Sequence, residues 1–132
     1  MKNKFSIGVD IVSIERIRDI LTSSRRNRFL SKIFSSKEID DASSRYSEAQ
    51  FFAGRFAAKE ACSKALGTGF KRGVFYKDIE VVNLKSGKPT IILKGGALEQ
   101  FKLITKNDES AKIEVSLTDD NKLAMAIVII SN

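Results

Sequence analysis

The feature that most constrains the fold is one long helical segment in the middle of the chain, followed by strand-like segments. Capping-box spacing between Ser47 and Gln50 marks the helix start, and helical periodicity continues to about residue 66, where Gly67 and Gly69 end it. Four later runs have the pattern of strands: DIEVVNL, KPTIIL, AKIEVSL and KLAMAIVII. GGALEQFKLITKN, between the second and the third, has helical periodicity. The pattern predicts a mixed α+β domain whose later strands are antiparallel.

The amino-terminal segment FSIGVDIV predicts a further strand. Its alternation puts Ile7, Val9 and Ile11 on one face and Asp10 on the other. A helix capped by Ser13 is expected to follow, because apolar residues then recur at helical spacing. Two short helices are predicted next, in SSRRNRFLSKIF and SSKEIDDASS. Asp10 therefore stands at the end of a strand, where a carboxylate is costly unless it is paired or bound to a metal.

Length and composition fit a single domain spanning residues 1–132. Apolar residues make up 42% of the chain, which is enough for a core. The lone cysteine, Cys62, is expected to be a buried packing group and can form no intrachain disulfide, which fits a reducing, cytoplasmic location. We identify no signal peptide, and no apolar run is long enough for a membrane span.

The chain contains no histidine, which narrows the possible chemistry. Nucleophile arrangements that depend on histidine and histidine-ligated metal sites are excluded. A bound metal would need oxygen ligands, which favours magnesium, manganese or calcium. The net charge of +7 favours an anionic partner: nucleic acid, anionic lipid, an acidic protein or a phosphorylated small molecule.

One polar ridge on the long helix is a candidate site. Glu60, Ser63, Lys64 and Gly67 are spaced i, i+3, i+4 and i+7 and lead into a glycine-rich turn. An acid, a lysine and an accessible backbone suit a pyrophosphate substrate with a divalent cation. Such a cation needs a second carboxylate, and Asp10 is the candidate.

The same residues also have a purely structural interpretation. Glu60 and Lys64 have the favoured orientation for an exposed ion pair worth about 0.2–0.5 kcal/mol. Gly67 could simply end the helix, and Asp10 could favour the dipole of the following helix. Spacing alone does not show that Asp10 and Glu60 meet, so both interpretations stay open on this basis.

Two segments, IGVDIVSIERI and FFAGRFAAKEACSKALGTGF, resemble the signature segments of the holo-[acyl-carrier-protein] synthases. These are small stand-alone 4′-phosphopantetheinyl transferases. The resemblance continues through DIEVVNLKSGKPTIIL and IEVSLTDDNKLAMAIVII and so covers nearly the whole chain. It implies a long helix packed on a mainly antiparallel sheet and a three-fold symmetric trimer with each site at a subunit interface.

The resemblance also implies a reaction. The phosphopantetheine arm of coenzyme A is transferred, with magnesium, to a serine of an acidic apo acyl carrier protein. The products are holo acyl carrier protein and adenosine 3′,5′-bisphosphate, and the reaction serves fatty acid biosynthesis. Such an enzyme uses the partner's serine as the nucleophile, so the absence of histidine is no obstacle.

Site residues follow from the resemblance position by position. Asp10 and Glu60 match the magnesium ligands, and with Lys64 they form the expected catalytic set. Arg55 matches a position near the adenosine end of coenzyme A, contributed from the neighbouring subunit. Lys59, beside the metal ligand, is expected to contact phosphate. The phosphate-handling positions match Lys64, Gly67, Thr68 and Gly69.

The arginine-rich segment has an expected role as well. Arg16, Arg25 and Arg28 match positions that meet the acidic recognition helix of the carrier protein, which would raise the encounter rate and fix orientation. The alternative is a solvated charged face. Arg26 has no matching role and is expected to be solvated.

Asp119 departs from the family pattern, because relatives commonly have a histidine there, near the phosphates of coenzyme A. An aspartate would repel an anion unless it turned away or paired with a lysine such as Lys122. Ser116 and Thr118, on the preceding strand, are expected to be exposed strand residues, although contact with the ligand stays open.

Two other functions remain possible on the sequence alone. A basic domain of this size could bind nucleic acid through phosphates, although the chain has no interleaved aromatic and basic surface for stacking bases. A catalytically idle oligomeric scaffold is the other alternative, which Asp119 keeps open. We predict the enzyme, with no nucleic acid partner.

Overall fold

A computed structural model of the protein describes residues 4–132, so the first three residues of the predicted 1–132 domain lie outside the described part. A short 3₁₀ turn, Tyr76–Asp78, precedes the second strand. The elements are, in chain order, β1 (Phe5–Ser13), α1 (Ile14–Leu21), α2 (Arg26–Ile33), α3 (Ser36–Ala42), α4 (Glu48–Leu66), β2 (Ile79–Asn83), β3 (Pro89–Leu93), α5 (Gly95–Ile104), β4 (Lys112–Asp119) and β5 (Leu123–Ser131).

The strands form two antiparallel sheets, in place of the single sheet implied by the resemblance. β5 lies between β1 and β4 in a three-stranded sheet, and β2 pairs with β3 in a hairpin. The predicted α+β class and antiparallel strands are confirmed. β1 is the first strand in the sequence and β5 the last. The three-stranded sheet therefore forms only when these distant segments of the chain pair.

The long helix α4 is the centre of the fold, and most of its residues are buried. Small side chains let the backbone of β1 approach the helix backbone. The closest approach is at Gly8, where a Cβ would lie 1.8 Å from the carbonyl oxygen of Ala61. Any larger residue at this position would push the strand away from the helix. The small buried residues of α4 are Ala49, Ala53, Gly54, Ala57, Ala58, Ala61, Cys62, Ser63 and Ala65.

The predicted helix starts are confirmed, with one difference in detail. The Ser13 hydroxyl accepts a hydrogen bond from a backbone N–H of α1, and Ser35 forms a complete capping box at α3. At α4, the Ser47 hydroxyl accepts from the backbone N–H of Gln50 at 3.3 Å. The Gln50 side chain does not bond back to Ser47, because its amide donates to Asp119. A long-range contact thus replaces half of the predicted capping box.

The outer face of the three-stranded sheet is apolar. The alternation predicted for β1 is confirmed, but its apolar side chains point away from α4 and are about half exposed. Their neighbours on β5 are exposed on the same side. We call this surface the apolar sheet face; it consists of Phe5, Ile7, Val9, Ile11, Leu123, Ile127 and Ile129. None of the helices in residues 4–132 has the length and apolar character needed to cross a membrane.

Candidate active site

Asp10 and Glu60, fifty residues apart in sequence, line one cavity of about 380 Å³. The structure thereby answers the question that spacing left open. Asp10 lies on β1 and Glu60 on α4, and the same cavity is bordered by Arg16 of α1. We call it the carboxylate cavity.

The contact between Gly8 and Ala61 explains why the carboxylates meet. Asp10 follows Gly8 by two residues and therefore lies on the same face of β1, toward α4. Glu60 immediately precedes Ala61. The backbone contact between strand and helix therefore sets the position of both acids.

Lys64 holds Asp10. Its ammonium donates to Asp10 Oδ1 at 3.2 Å and to the backbone carbonyl of Val9 at 2.9 Å. The lysine side chain is 53% exposed and that of Asp10 is 19% exposed. In the described part of the chain, Lys64 therefore pairs with the acid on the strand, and the helical ion pair with Glu60 is not formed.

Tyr76 holds Glu60, and sequence reasoning missed it. The phenol O–H donates to Glu60 Oε1 at 2.7 Å. The ring stacks on Phe70, with 3.7 Å between ring centroids, and on Phe56 at 5.8 Å. Burial and the bond to Glu60 raise the pKa of Tyr76, so the hydroxyl stays a neutral donor. No periodicity or motif marks a tyrosine in a loop, so the sequence offered no signal for it.

Lys59 is fully buried, which contradicts its expected contact with phosphate. Its ammonium pairs with Glu38 Oε1 at 2.9 Å and donates to the backbone carbonyls of Tyr76 and Ile79. All three N–H groups are thus used by protein acceptors. Burial lowers the pKa of Lys59, and the nearby Glu38 carboxylate opposes that shift. Lys59 therefore holds the core together.

The turn after α4 has the geometry that its glycines predict. Gly67 has φ 87° and Gly69 φ 60°, and the Gly69 N–H donates to the carbonyl of Ser63 at 3.1 Å. The Ser63 hydroxyl is buried and donates to the carbonyl of Glu60, so Ser63 is not part of an exposed ridge. Thr68 is partly buried in the turn.

Arg55 lines a second cavity of about 230 Å³, which we call the arginine cavity. Its guanidinium lies 4.4 Å from the centre of the Phe51 ring, and Arg45 lies over the same ring at 5.1 Å. One N–H of Arg55 donates to Asn83, while its Nε is buried without a partner among residues 4–132. Burial and the charge of Arg45 lower the pKa of Arg55. Sequence reasoning missed Arg45.

Asp119 also borders the arginine cavity. Within residues 4–132 it forms no ion pair with Lys122, and its carboxylate accepts a hydrogen bond from the side-chain amide of Gln50. Ser116 and Thr118 are exposed strand residues, as predicted.

Arg25 and Arg28 line a third cavity of about 350 Å³, together with Lys32, which the sequence did not single out. This cavity shares Ile20, Phe29 and Phe56 with the carboxylate cavity. The two form one surface, which we call the basic groove, running from the carboxylates past Arg16 to the arginines of the α1–α2 region.

Two remaining expectations concern single residues. Arg26 is not simply solvated, because it forms a bidentate ion pair with Glu48 at 2.6 and 3.1 Å that joins α2 to the start of α4. Cys62 is buried, and burial raises the pKa of its thiol to about 12. It is therefore an unreactive packing group, as predicted.

The donor set of the carboxylate cavity fits a magnesium ion. Magnesium is typically held by one or two carboxylates together with phosphate oxygens and water. Asp10 and Glu60 supply two carboxylates in one cavity, and residues 4–132 contain no cluster of three potential ligands that would form a cage of protein groups alone. The site therefore suits a cation shared with a phosphorylated ligand.

The comparisons with known proteins identify the class. A family model described as the 4′-phosphopantetheinyl transferase superfamily matches residues 6–128. The chain belongs to this superfamily.

Relatives narrow the class further. A holo-[acyl-carrier-protein] synthase of Parvibaculum lavamentivorans is 50% identical over 95% of this chain and 93% of its own length. One from a Bradyrhizobium strain is 46% identical over 95% and 92%. Within the superfamily, the chain is a member of the holo-[acyl-carrier-protein] synthases, as the resemblance implied. This assignment favours the enzyme over the nucleic-acid-binding module.

Solved structures of holo-[acyl-carrier-protein] synthases have the same fold as this chain. The synthase of Neisseria meningitidis matches with a TM-score of 0.81 and 28% identity over 96% of this chain and 98% of its own. The synthase of Helicobacter pylori, solved in complex with coenzyme A, matches with a TM-score of 0.78 and 31% identity over 95% and 99%.

Proposed function

We propose that the carboxylate cavity is the magnesium site of a holo-[acyl-carrier-protein] synthase. The enzyme transfers 4′-phosphopantetheine from coenzyme A to a serine of apo acyl carrier protein, releases adenosine 3′,5′-bisphosphate and serves fatty acid biosynthesis. The observation that carries the proposal is the meeting of Asp10 and Glu60 in one cavity, with Lys64 bonded to Asp10. A cytoplasmic location is part of the proposal.

Phosphoryl transfer of this kind needs positioning and charge neutralisation more than covalent help. The serine oxygen forms a bond to the phosphorus beside the pantetheine arm while its proton passes to water or a carboxylate, and the bond from that phosphorus to the bridging oxygen of the pyrophosphate breaks, so that adenosine 3′,5′-bisphosphate leaves with that oxygen. Asp10 and Glu60 would hold magnesium, which when bound neutralises the pyrophosphate. Lys64 is half exposed and uses two of its three N–H groups on acceptors in the described part of the chain; it would contact a phosphate oxygen, next to the Gly67–Thr68–Gly69 turn.

The direct test is mass spectrometry of an apo acyl carrier protein incubated with this enzyme, coenzyme A and magnesium. We expect the carrier protein to gain the mass of one phosphopantetheine group at a single serine. An unmodified carrier protein, with coenzyme A recovered intact, would contradict the proposed function.

We propose that the arginine cavity contributes to the active site of the neighbouring subunit. There it would bind the adenosine end of coenzyme A. Arg45 and Arg55 provide positive charge above an aromatic ring, and the buried Nε of Arg55 has no acceptor in the part of the chain that the structure describes. Asp119 places a negative charge at the edge of this cavity, but its bond to Gln50 fixes the carboxylate on the protein.

A trimer is proposed from the family resemblance, and the apolar sheet face supports a subunit interface. Contiguous exposed apolar surface on a small domain marks an interface. Ile11 belongs both to this face and to the lining of the carboxylate cavity, so a subunit packed here would border the site.

Replacing Ile127 by lysine in the middle of the apolar sheet face is expected to dissociate the trimer, because a lysine buried in an apolar interface is unpaired. Light scattering after size-exclusion chromatography would show a molecular mass close to that of one chain. Leu103→Lys, at an exposed apolar residue on α5, is the matched control and should keep the wild-type mass. An unchanged mass for Ile127→Lys would contradict the interface.

Reversing Arg16 and Arg28 to glutamate is expected to raise the apparent KM for the carrier protein about tenfold or more, equivalent to about 1.4 kcal/mol. The KM for coenzyme A should change less, because its phosphates are proposed to lie at Lys64 and the Gly67–Thr68–Gly69 turn, and Arg28 lines only the cavity beyond the carboxylates. Steady-state kinetics with each substrate varied in turn measures this.

Arg18→Glu is the control, since it changes charge equally at an exposed position of α1 that lines neither cavity. Equal losses for both substrates in the Arg16 and Arg28 variants would remove the docking role.

A further inference from the structure

Within residues 4–132, Tyr76 is the one neutral side chain that donates a hydrogen bond to the carboxylate of a proposed metal ligand. Its O–H donates to Glu60 Oε1, just as the ammonium of Lys64 donates to Asp10 Oδ1. Among residues 4–132, neither Glu60 Oε2 nor Asp10 Oδ2 has a protein hydrogen-bond partner. Each carboxylate is thus fixed through one oxygen, and the other oxygen is free for a cation.

The position of Tyr76 is itself strongly determined. Its ring is stacked against Phe70 and Phe56, and its backbone carbonyl accepts a hydrogen bond from the buried Lys59 at 3.0 Å. Lys59 is in turn fixed by Glu38. The 3₁₀ turn that carries Tyr76 is therefore tied to the residue directly before Glu60, which gives the phenol little freedom to move.

We infer that Tyr76 is a positioning residue that fixes the carboxylate of Glu60 in the orientation needed to bind magnesium. This inference rests on the proposed function. Groups that hydrogen-bond to metal ligands orient them, and removal of such a group typically lowers metal affinity about 10- to 100-fold. Tyr76 contacts Glu60, a proposed metal ligand, and is not proposed to contact the reacting atoms. Loss of its hydroxyl should therefore lower the affinity for magnesium.

The test is Tyr76→Phe, which keeps the stacked ring and removes only the hydroxyl. Magnesium chloride is titrated calorimetrically into the enzyme with saturating coenzyme A, and transfer is measured across magnesium concentrations. We expect the magnesium Kd to rise about tenfold. The transfer rate should be low at limiting magnesium and recover toward the wild-type value at saturating magnesium.

The chain offers a matched control in Tyr46→Phe, because Tyr46 is the other tyrosine and is fully exposed. It should leave the magnesium Kd unchanged. A Tyr76→Phe variant with unchanged magnesium affinity, even with a lower Tm, would assign Tyr76 a structural role only and overturn the inference.

The outcomes separate this inference from the proposed function. If the wild-type enzyme binds no magnesium, or transfers without it, the proposed metal site is wrong. If the wild-type enzyme requires magnesium and Tyr76→Phe binds it equally well, only the positioning role of Tyr76 is wrong.

Discussion

Asp10→Ala and Glu60→Ala should each lower the rate of phosphopantetheine transfer about a thousandfold or more. Each removes one of the two carboxylates of the cavity, and a metal ion that neutralises a transferring phosphoryl group supplies several kcal/mol. At about 1.36 kcal/mol for each factor of ten, a loss of about 4 kcal/mol gives this effect. Transfer is measured by mass spectrometry of the carrier protein over time.

Both variants should keep the fold, because neither carboxylate belongs to the buried core. Circular dichroism and thermal unfolding check this. Glu99→Ala, which removes an exposed carboxylate from α5, is the control and should retain wild-type transfer. Full activity in either the Asp10 or the Glu60 variant would rule out the metal site.

Lys59→Met is expected to lower the free energy of unfolding by about 3–5 kcal/mol, the usual cost of leaving one member of a buried ion pair alone. Glu38 is fully buried and would keep its bonds to the backbone N–H groups of Ser35 and Val81, but lose its only cation within 4 Å in the described chain. Urea unfolding measures this, at one fixed protein concentration because an oligomer is proposed.

Lys37→Met is the matched control. It removes an exposed ion pair with Asp41 on α3 and should change the free energy of unfolding by less than about 1 kcal/mol. Adding Glu38→Gln to Lys59→Met should recover part of the loss, because the unpaired buried charge is then gone. Equal effects of Lys59→Met and Lys37→Met would contradict the structural role of Lys59.

Local chemistry made much of the fold predictable. Serine caps, helical periodicity and strand alternation depend on residues within one or two turns, and these predicted the starts of α1, α3 and α4. The exception is instructive: Gln50 satisfies the local capping pattern, yet its amide bonds to Asp119, 69 residues away. A local sequence pattern gives no information about a distant residue that competes for the same side chain in the folded protein.

The two acids of the candidate site could be predicted from the sequence, but the residues that position them could not. Helical spacing placed Glu60 and Lys64 on one side of α4, the need for a second carboxylate singled out Asp10 on the first strand, and the family resemblance paired the two acids as metal ligands. Lys59 looked equally suited to phosphate, because burial depends on packing around the helix and not on residue type. Tyr76 and Arg45 lie outside any periodic segment, so only the folded chain shows that Tyr76 bonds to Glu60 and that Arg45 lines the arginine cavity.

At Gly8 the backbone of β1 lies directly against the backbone of α4 at Ala61. The distance between Asp10 and Glu60 is therefore set by a contact between two backbone segments. No side chain lies between the strand and the helix at this point, so the spacing there does not depend on how a side chain packs. The same arrangement makes Gly8 intolerant of substitution. A single methyl group added there would push β1 away from α4 and separate the two acids. Catalysis would then change although Gly8 is not one of the residues proposed to contact the substrate.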